Sequence, residues 1–256
     1  MVAVEFVVVI PVNSCDNPDS RKAIICSAVS RPGRQRNILS SNKNHKKTDK
    51  PAVILLHGLL ANSLNLVPLA LKIKARGFSV YNWGYDSRSA DLDLLSERLW
   101  ERIRAHNLQE HETLHFVTHS MGGILVRNMM HHHSLPQVGR FVMMCPPNLG
   151  SEMADHLAEK PFWGWLLGPA AKELKTDGKV LTLGPVPAQV GILAGDQPGL
   201  FSPRFFRSAN DGRVAVEHTV YPGMKEHKVL PYGHTLFVFR PRVHDLVIRF
   251  LLKGHF

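Results

Sequence analysis

Leu114-His115-Phe116-Val117-Thr118 runs directly into His119-Ser120-Met121-Gly122-Gly123 and on into Ile124-Leu125-Val126-Arg127-Asn128-Met129-Met130. The first segment reads as a strand and the last as a helix. A serine on the sharp turn between them has the setting of a nucleophile elbow. Such a turn strains the backbone at the serine and lifts its hydroxyl above the strand's carboxyl end. It also points the next residue's N–H at the place where negative charge develops on a carbonyl oxygen. Gly122, two residues on, removes a side chain that would collide with the turn. The position two residues before the serine is Thr118 where the usual G-x-S-x-G pattern has glycine, and a β-branched residue there demands more room between strand and helix. Ser120 as an ordinary helix N-cap is the plainer reading of the tetrapeptide by itself.

Working outward, the chain from Pro51 onward alternates short apolar runs with amphipathic stretches, which predicts a mostly parallel sheet with helices on both faces, an α/β class. Ala52-Val53-Ile54-Leu55-Leu56 is apolar without alternation, as a strand buried on both sides should be. Further strands are expected at 78–83, 114–118, 138–145, 189–194 and 228–231. Leu92, Leu95, Leu99 and Ile103 recur at helical spacing over 91–106, with Asp91 and Asp93 at the start and Arg98, Arg102 and Arg104 toward the end. A last helix places Pro241 in its first turn and repeats Val243, Leu246, Val247, Phe250 and Leu251 along one stripe.

Composition sets the outer limits. At 256 residues, with 44% hydrophobic and 20% charged side chains, the chain is globular and excludes a fibrous or wholly disordered molecule. Its longest purely apolar runs, such as Phe6 to Ile10, fall far short of a membrane span. Cys15, Cys26 and Cys145 show neither disulfide nor metal-ligand spacing, which favours a reducing, cytoplasmic setting and leaves secreted and periplasmic routes open. The formal charge of +10 would ordinarily raise nucleic acid as a partner. Residues 31–50, however, hold Arg31, Arg34, Arg36, Lys43, Lys46, Lys47 and Lys50 against Asp49 alone, so most of the excess is local and no nucleic-acid partner is expected. Residues 1–50 therefore read as an amino-terminal extension, basic and flexible from 31, with a weak anionic-membrane contact as its sharper alternative. Glu5 stands where a secretory signal would carry a base.

The strand at 52–56 ends in His57-Gly58-Leu59-Leu60, where glycine allows a close backbone turn and the N–H of Leu59 can serve as a second oxyanion donor. Together with the serine turn, this segment resembles the α/β-hydrolase superfamily over residues 51–253. Within it the resemblance is to small bacterial lipases and esterases, including the inositol-deacylase lipase group. The resemblance implies Ser120 as nucleophile, the N–H groups of Leu59 and Met121 as the oxyanion hole, and a structural place for His57.

A serine hydroxyl needs a histidine to take its proton and an acid to orient that histidine, and in this fold the acid and then the histidine follow the serine in the chain. His234, in Tyr232-Gly233-His234-Thr235, follows a strand and matches the family's Gly-His pair, ahead of His227 and His244. Asp211, in Asn210-Asp211-Gly212-Arg213-Val214, and Asp196, after the strand at 189–194, are the candidate acids. The resemblance implies Asp211, which fits the family's turn of Asp, small or polar residues and Val, with Asp196 as runner-up. His131-His132-His133 is read as a solvated helix end, because neighbours on a helix diverge by about 100° and cannot converge on one ion. No metal and no cofactor are expected. Residues at about 146–180 occupy the family's place for a helical cap, and Phe162, Trp163, Trp165 and Leu166 are its expected acyl-binding surface, unless they merely close the core. The expected activity is carboxylic ester hydrolysis of a small-molecule or lipid ester. An acyltransferase on the same residues and a silent binding module are its rivals, and oligomeric state is left open.

Overall fold

The computed structural model describes residues 50–158, 160–199 and 206–256, apart from the side chains of Ala158, Pro161 and Trp163. The expectations for the amino-terminal extension and its membrane contact lie outside the described residues. Six strands, β1 (Ala52–Leu56), β2 (Ser79–Trp83), β3 (Leu114–His119), β4 (Val138–Met144), β5 (Gln189–Gly195) and β6 (Met224–Leu230), form one sheet in the order β2-β1-β3-β4-β5-β6. All five pairings are parallel. The helices are α1 (Val67–Lys74), α2 (Leu92–Ala105), α3 (Met121–His132), α4 (Glu152–Ala158), α5 (Pro161–Leu167), α6 (Pro169–Lys172) and α7 (Pro241–Lys253).

Both sheet faces are covered, which is why β1 shows an unbroken apolar run. Val53 and Leu55 belong to one core layer with Leu69 and Ile73 of α1 and Val243, Val247 and Phe250 of α7. Ala52, Ile54 and Leu56 belong to the other, with Leu92, Leu95, Leu99 and Ile103 of α2 and Ile124, Leu125 and Met129 of α3. The α2 and α7 stripes thus lie where their spacing put them. Asp91 caps α2 by accepting from the Leu94 N–H, and Gly254 closes α7 with φ 75°.

Strand β6 differs most from expectation. It starts at Met224, four residues before the predicted 228, and only Leu230 in it is buried. It is the sheet edge, so its Lys, Glu and His side chains meet solvent and erase the apolar signal.

The strand order places the site. After β1 the chain goes to β2 on one side, whereas after β3 it goes to β4 on the other, so the loops leaving β1 and β3 diverge above adjacent strands paired at Leu56 and Thr118. In open parallel sheets such a divergence leaves a crevice at the strands' carboxyl ends. Leu59 and Ser120 lie there.

Candidate active site

Ser120 has φ 52° and ψ −128°, a conformation that an L-residue with a Cβ rarely adopts. Its N–H donates to the Met144 carbonyl at 2.8 Å, and its own carbonyl accepts from Gly123 at 3.0 Å, so bonds on both sides hold the turn. Helix α3 begins at Met121, and no side-chain cap bond from Ser120 is present, so the hydroxyl is not spent on an N-cap. A Cβ on Gly58 would lie 2.8 Å from that of Ser120, and one on Gly122 would lie 2.7 Å from the His57 carbonyl oxygen. The β1 loop and the serine turn are therefore pressed backbone to backbone. Among the described residues the Leu59 and Met121 amides have no hydrogen-bond acceptor, although Met121 is fully buried.

Asp211 sits in a short hairpin that brings Asn210 opposite Ala215. One carboxylate oxygen accepts the N–H groups of Arg213 at 2.9 Å and Val214 at 2.8 Å, and the other meets His234 Nδ1 at 2.7 Å. The His234 N–H also donates to the Asp211 carbonyl at 3.0 Å, so backbone and side chain tie the two loops together. Burial opposes ionisation of Asp211. The facing imidazole and the two amides outweigh it and hold the carboxyl below its ordinary range. Asp196 is exposed, and its N–H bonds to Leu230. His227 bonds Thr219, and His244 bonds the Val238 carbonyl. Of the residues weighed for base and acid, only His234 and Asp211 meet. His234 and Ser120 line the same two cavities.

Two neighbours of this pair escaped the sequence reading. The His119 ring lies 4.8 Å from that of His234, and its Nε2 is 3.2 Å from the His234 carbonyl oxygen. Burial, reinforced by His234, lowers its pKa to about 3, so the ring is neutral and its Nε2–H donates to that carbonyl. Cys145, at φ 51°, is the second, its sulfur within 4.8 Å of ring nitrogens of both His119 and His234. Burial and the Asp211 carboxylate, to which the thiol hydrogen-bonds, push its pKa up and keep it a thiol. Both contacts are tertiary and leave no local mark in the sequence.

His57 has the structural place expected of it. Its Nδ1 donates to the Gly58 carbonyl at 2.9 Å, and its Nε2 accepts the Tyr85 N–H at 3.2 Å, which fixes one neutral tautomer, and burial lowers its pKa. Tyr85 stacks on the ring at 4.4 Å and donates its hydroxyl to the His57 carbonyl, bracing the loop that carries Leu59. The histidine triplet ends α3, where His133 pairs with Glu97 and stacks on Trp100, and His132 pairs with Asp93. His131 and His132 are exposed, as a solvated helix end should be, and only His133 is half-buried against α2. Metal-type donors do converge elsewhere, at His119, Cys145 and His234 and at Glu152, Glu217 and His218. The first set is committed to the hydrogen bonds just described, and in the second His218 pairs with Glu152 at 3.2 Å.

Helices α4, α5 and α6 lie in the segment where a cap is expected, and the residues lining the space beside Ser120 differ from those expected. A cavity of about 80 Å³ beside Ser120 is lined by Met153, Ala154, Leu157, Leu167, Ala171 and Leu174. Of the expected acyl-binding residues, Phe162, Trp165 and Leu166 do not line it, the first two being 64% and 79% exposed and Leu166 half-buried; the Trp163 side chain lies outside the described residues. Seven-residue α5 carries more large apolar side chains than one helix face can turn inward.

No protein-family model and no curated relative matches the chain. Solved structures do. The mature form of the lipase BlEst2 from Bacillus licheniformis is 20% identical, with a TM-score of 0.57 over 83% of this chain and 95% of that one. Phospholipase PlaB from Legionella pneumophila is 17% identical, with a TM-score of 0.64 over 78% of this chain and 59% of that one. Carboxylesterase CesB from Bacillus subtilis is 18% identical, with a TM-score of 0.51 over 82% and 86%. At these identities the likeness is one of fold. The chain has the α/β-hydrolase fold.

Proposed function

We propose that the protein is a serine hydrolase of carboxylic esters. The observation that carries this reading is the buried bond of 2.7 Å between His234 Nδ1 and Asp211, made beside a serine in the strained conformation of a nucleophile elbow. Fold alone carries no activity. Ser120 attacks the ester carbonyl as His234 takes its proton on Nε2, and Asp211 holds the imidazole in the tautomer that leaves Nε2 free to accept it. The Leu59 and Met121 N–H groups face the carbonyl oxygen as it becomes an oxyanion. His234 then protonates the departing alcohol, and water, activated by the same imidazole, hydrolyses the acyl-enzyme. The buried, proton-free Asp211 keeps the imidazolium formed in each half-reaction stable.

An acyltransferase would use the same groups with an alcohol in place of water. Treating the protein with a fluorophosphonate ester and mapping the adduct by mass spectrometry tests the reading. A phosphonyl group on Ser120 is the expected result. Absence of any adduct on Ser120 in folded protein removes the serine-hydrolase assignment.

A further inference from the structure

Three cavities reach His234, and two of them also reach Ser120. The first is the apolar slot of about 80 Å³ under the cap, the second a wider space of about 580 Å³ bounded by His234, Gln197, Tyr232 and Arg240, and the third a space of about 290 Å³ over His119, Ser120 and His234. Arg213 lines all three. The charges around them are one-sided. Lys172 stands on the first and Arg240, stacked 5.1 Å over Tyr232, on the second, whereas among the described residues the single acid on any of them is Asp211. Both of its oxygens are already committed, to His234 and to two backbone amides.

The Arg213 guanidinium is exposed and takes no carboxylate partner among the described residues. It is close enough to add to the depression that burial and His234 impose on the pKa of His119. Its backbone is fully occupied, since its N–H braces Asp211 and its carbonyl accepts the Ser151 hydroxyl. The side chain is therefore the one part of Arg213 left unengaged among the described residues. A planar five-donor cation in this position matches carboxylate or phosphate oxygens.

We infer that Arg213 binds an anionic oxygen group on the alcohol half of the substrate, which makes the substrates acyl esters of negatively charged alcohols. The two halves are assigned by chemistry. The slot's walls are mostly aliphatic, which suits a short acyl chain better than a desolvated anion, whereas the wider space is bounded by polar Gln197 and Thr235 and by Arg240 besides Arg213. The wider space with Arg213 and Arg240 takes the charged alcohol. This rests on the hydrolase reading above and adds the substrate class to it.

The test compares three acetates matched in leaving group, 3-acetoxybenzamide, 3-acetoxybenzoate and 3-acetoxyphenyl phosphate, read as the ratio of kcat/KM for each anion to that for the neutral ester. The parent protein should prefer at least one anion by on the order of tenfold or more, and the larger of the two ratios tells carboxylate from phosphate. In Arg213→Leu, with an unchanged melting transition, the ratio should fall to near one. Arg213→Lys should keep part of it, and about 0.5 M salt should reduce it in the parent alone. A parent ratio near one, or an Arg213→Leu ratio equal to the parent's, overturns the inference while a Ser120 adduct still stands. Failure of Ser120 to label overturns the hydrolase reading and this one with it.

Discussion

The hydroxyl of Thr118 and the α-carbon of Gly123 share one gap between β3 and α3, so narrow that a Cβ at position 123 would lie 3.1 Å from the threonine oxygen. Thr118 is the departure from G-x-S-x-G noted in the sequence, and the second glycine of the Gly122-Gly123 pair supplies the room its branched side chain needs. Alanine in a helix interior is ordinarily favoured over glycine by up to about 1 kcal/mol. Gly123→Ala should therefore cost more beside Thr118 than in a Thr118→Ala background, with a coupling of at least about 0.5 kcal/mol in a urea double-mutant cycle. Additive effects would show that the two positions do not compensate.

The hairpin from Asn210 to Ala215 presents Asp211 to His234, and Asp196 has no such contact. Asp211→Asn should lower kcat at least about a hundredfold, given losses near 10⁴ when an orienting carboxylate is lost elsewhere. Asp196→Asn should stay within about tenfold. The reverse ordering on one soluble ester would transfer the role.

The cap predictions follow from which side chains face the slot. Ala171→Leu adds bulk to a cavity of about 80 Å³ and should shift preference from butyryl to acetyl esters by on the order of tenfold or more. Trp165→Ala, at a side chain 79% exposed, should leave that preference within about threefold. If both variants shift it equally, the aromatic surface closes over the substrate after all.

Acid should weaken the fold before the carboxylates titrate. The His115 Nδ1 accepts the Arg140 N–H at 2.9 Å, so the ring must be neutral, and burial together with Arg140 lowers its pKa to about 4. His119 is lowered to about 3. Both values lie below the unfolded one near 6.5, so the unfolded chain takes up protons first. The stability these rings confer is present above about pH 6.5 and is lost as pH falls toward 4 and 3. Urea midpoints measured from pH 7.5 to 4.5 should fall steadily, and His115→Asn, which keeps an acceptor but cannot titrate, should make the slope shallower. An unchanged slope would mean that His115 is not a contributor.

What the sequence made legible follows burial. Strands β1 and β3, and the stripes of α2 and α7, are covered continuously, so apolar spacing reports them directly. Strand β6 lies at an edge and shares its polar composition with loops. Phe162 and Trp165 were readable as aromatic but not as outward, since that depends on how α5 rolls against α4 and α6. The choice between Asp211 and Asp196 turned on a hairpin closed by backbone bonds, which the Asn-Asp-Gly turn signals only weakly. His119 and Cys145 meet Asp211 and His234 through the sheet. Arg213 stood beside the expected acid, and an isolated base between Gly212 and Val214 was the available signal.

The nucleophile and the residues that activate it rest on ground of unequal firmness. Ser120 follows β3, flanked by two strands in the middle of the sheet. His234 follows the solvent-washed edge strand β6, and Asp211 rides the connection leading into it. Edge elements open locally at lower free energy than central ones. On warming, the molecule should go silent while still folded: turnover is lost several degrees below the collapse of its helical signal and returns on cooling, with the serine in place throughout.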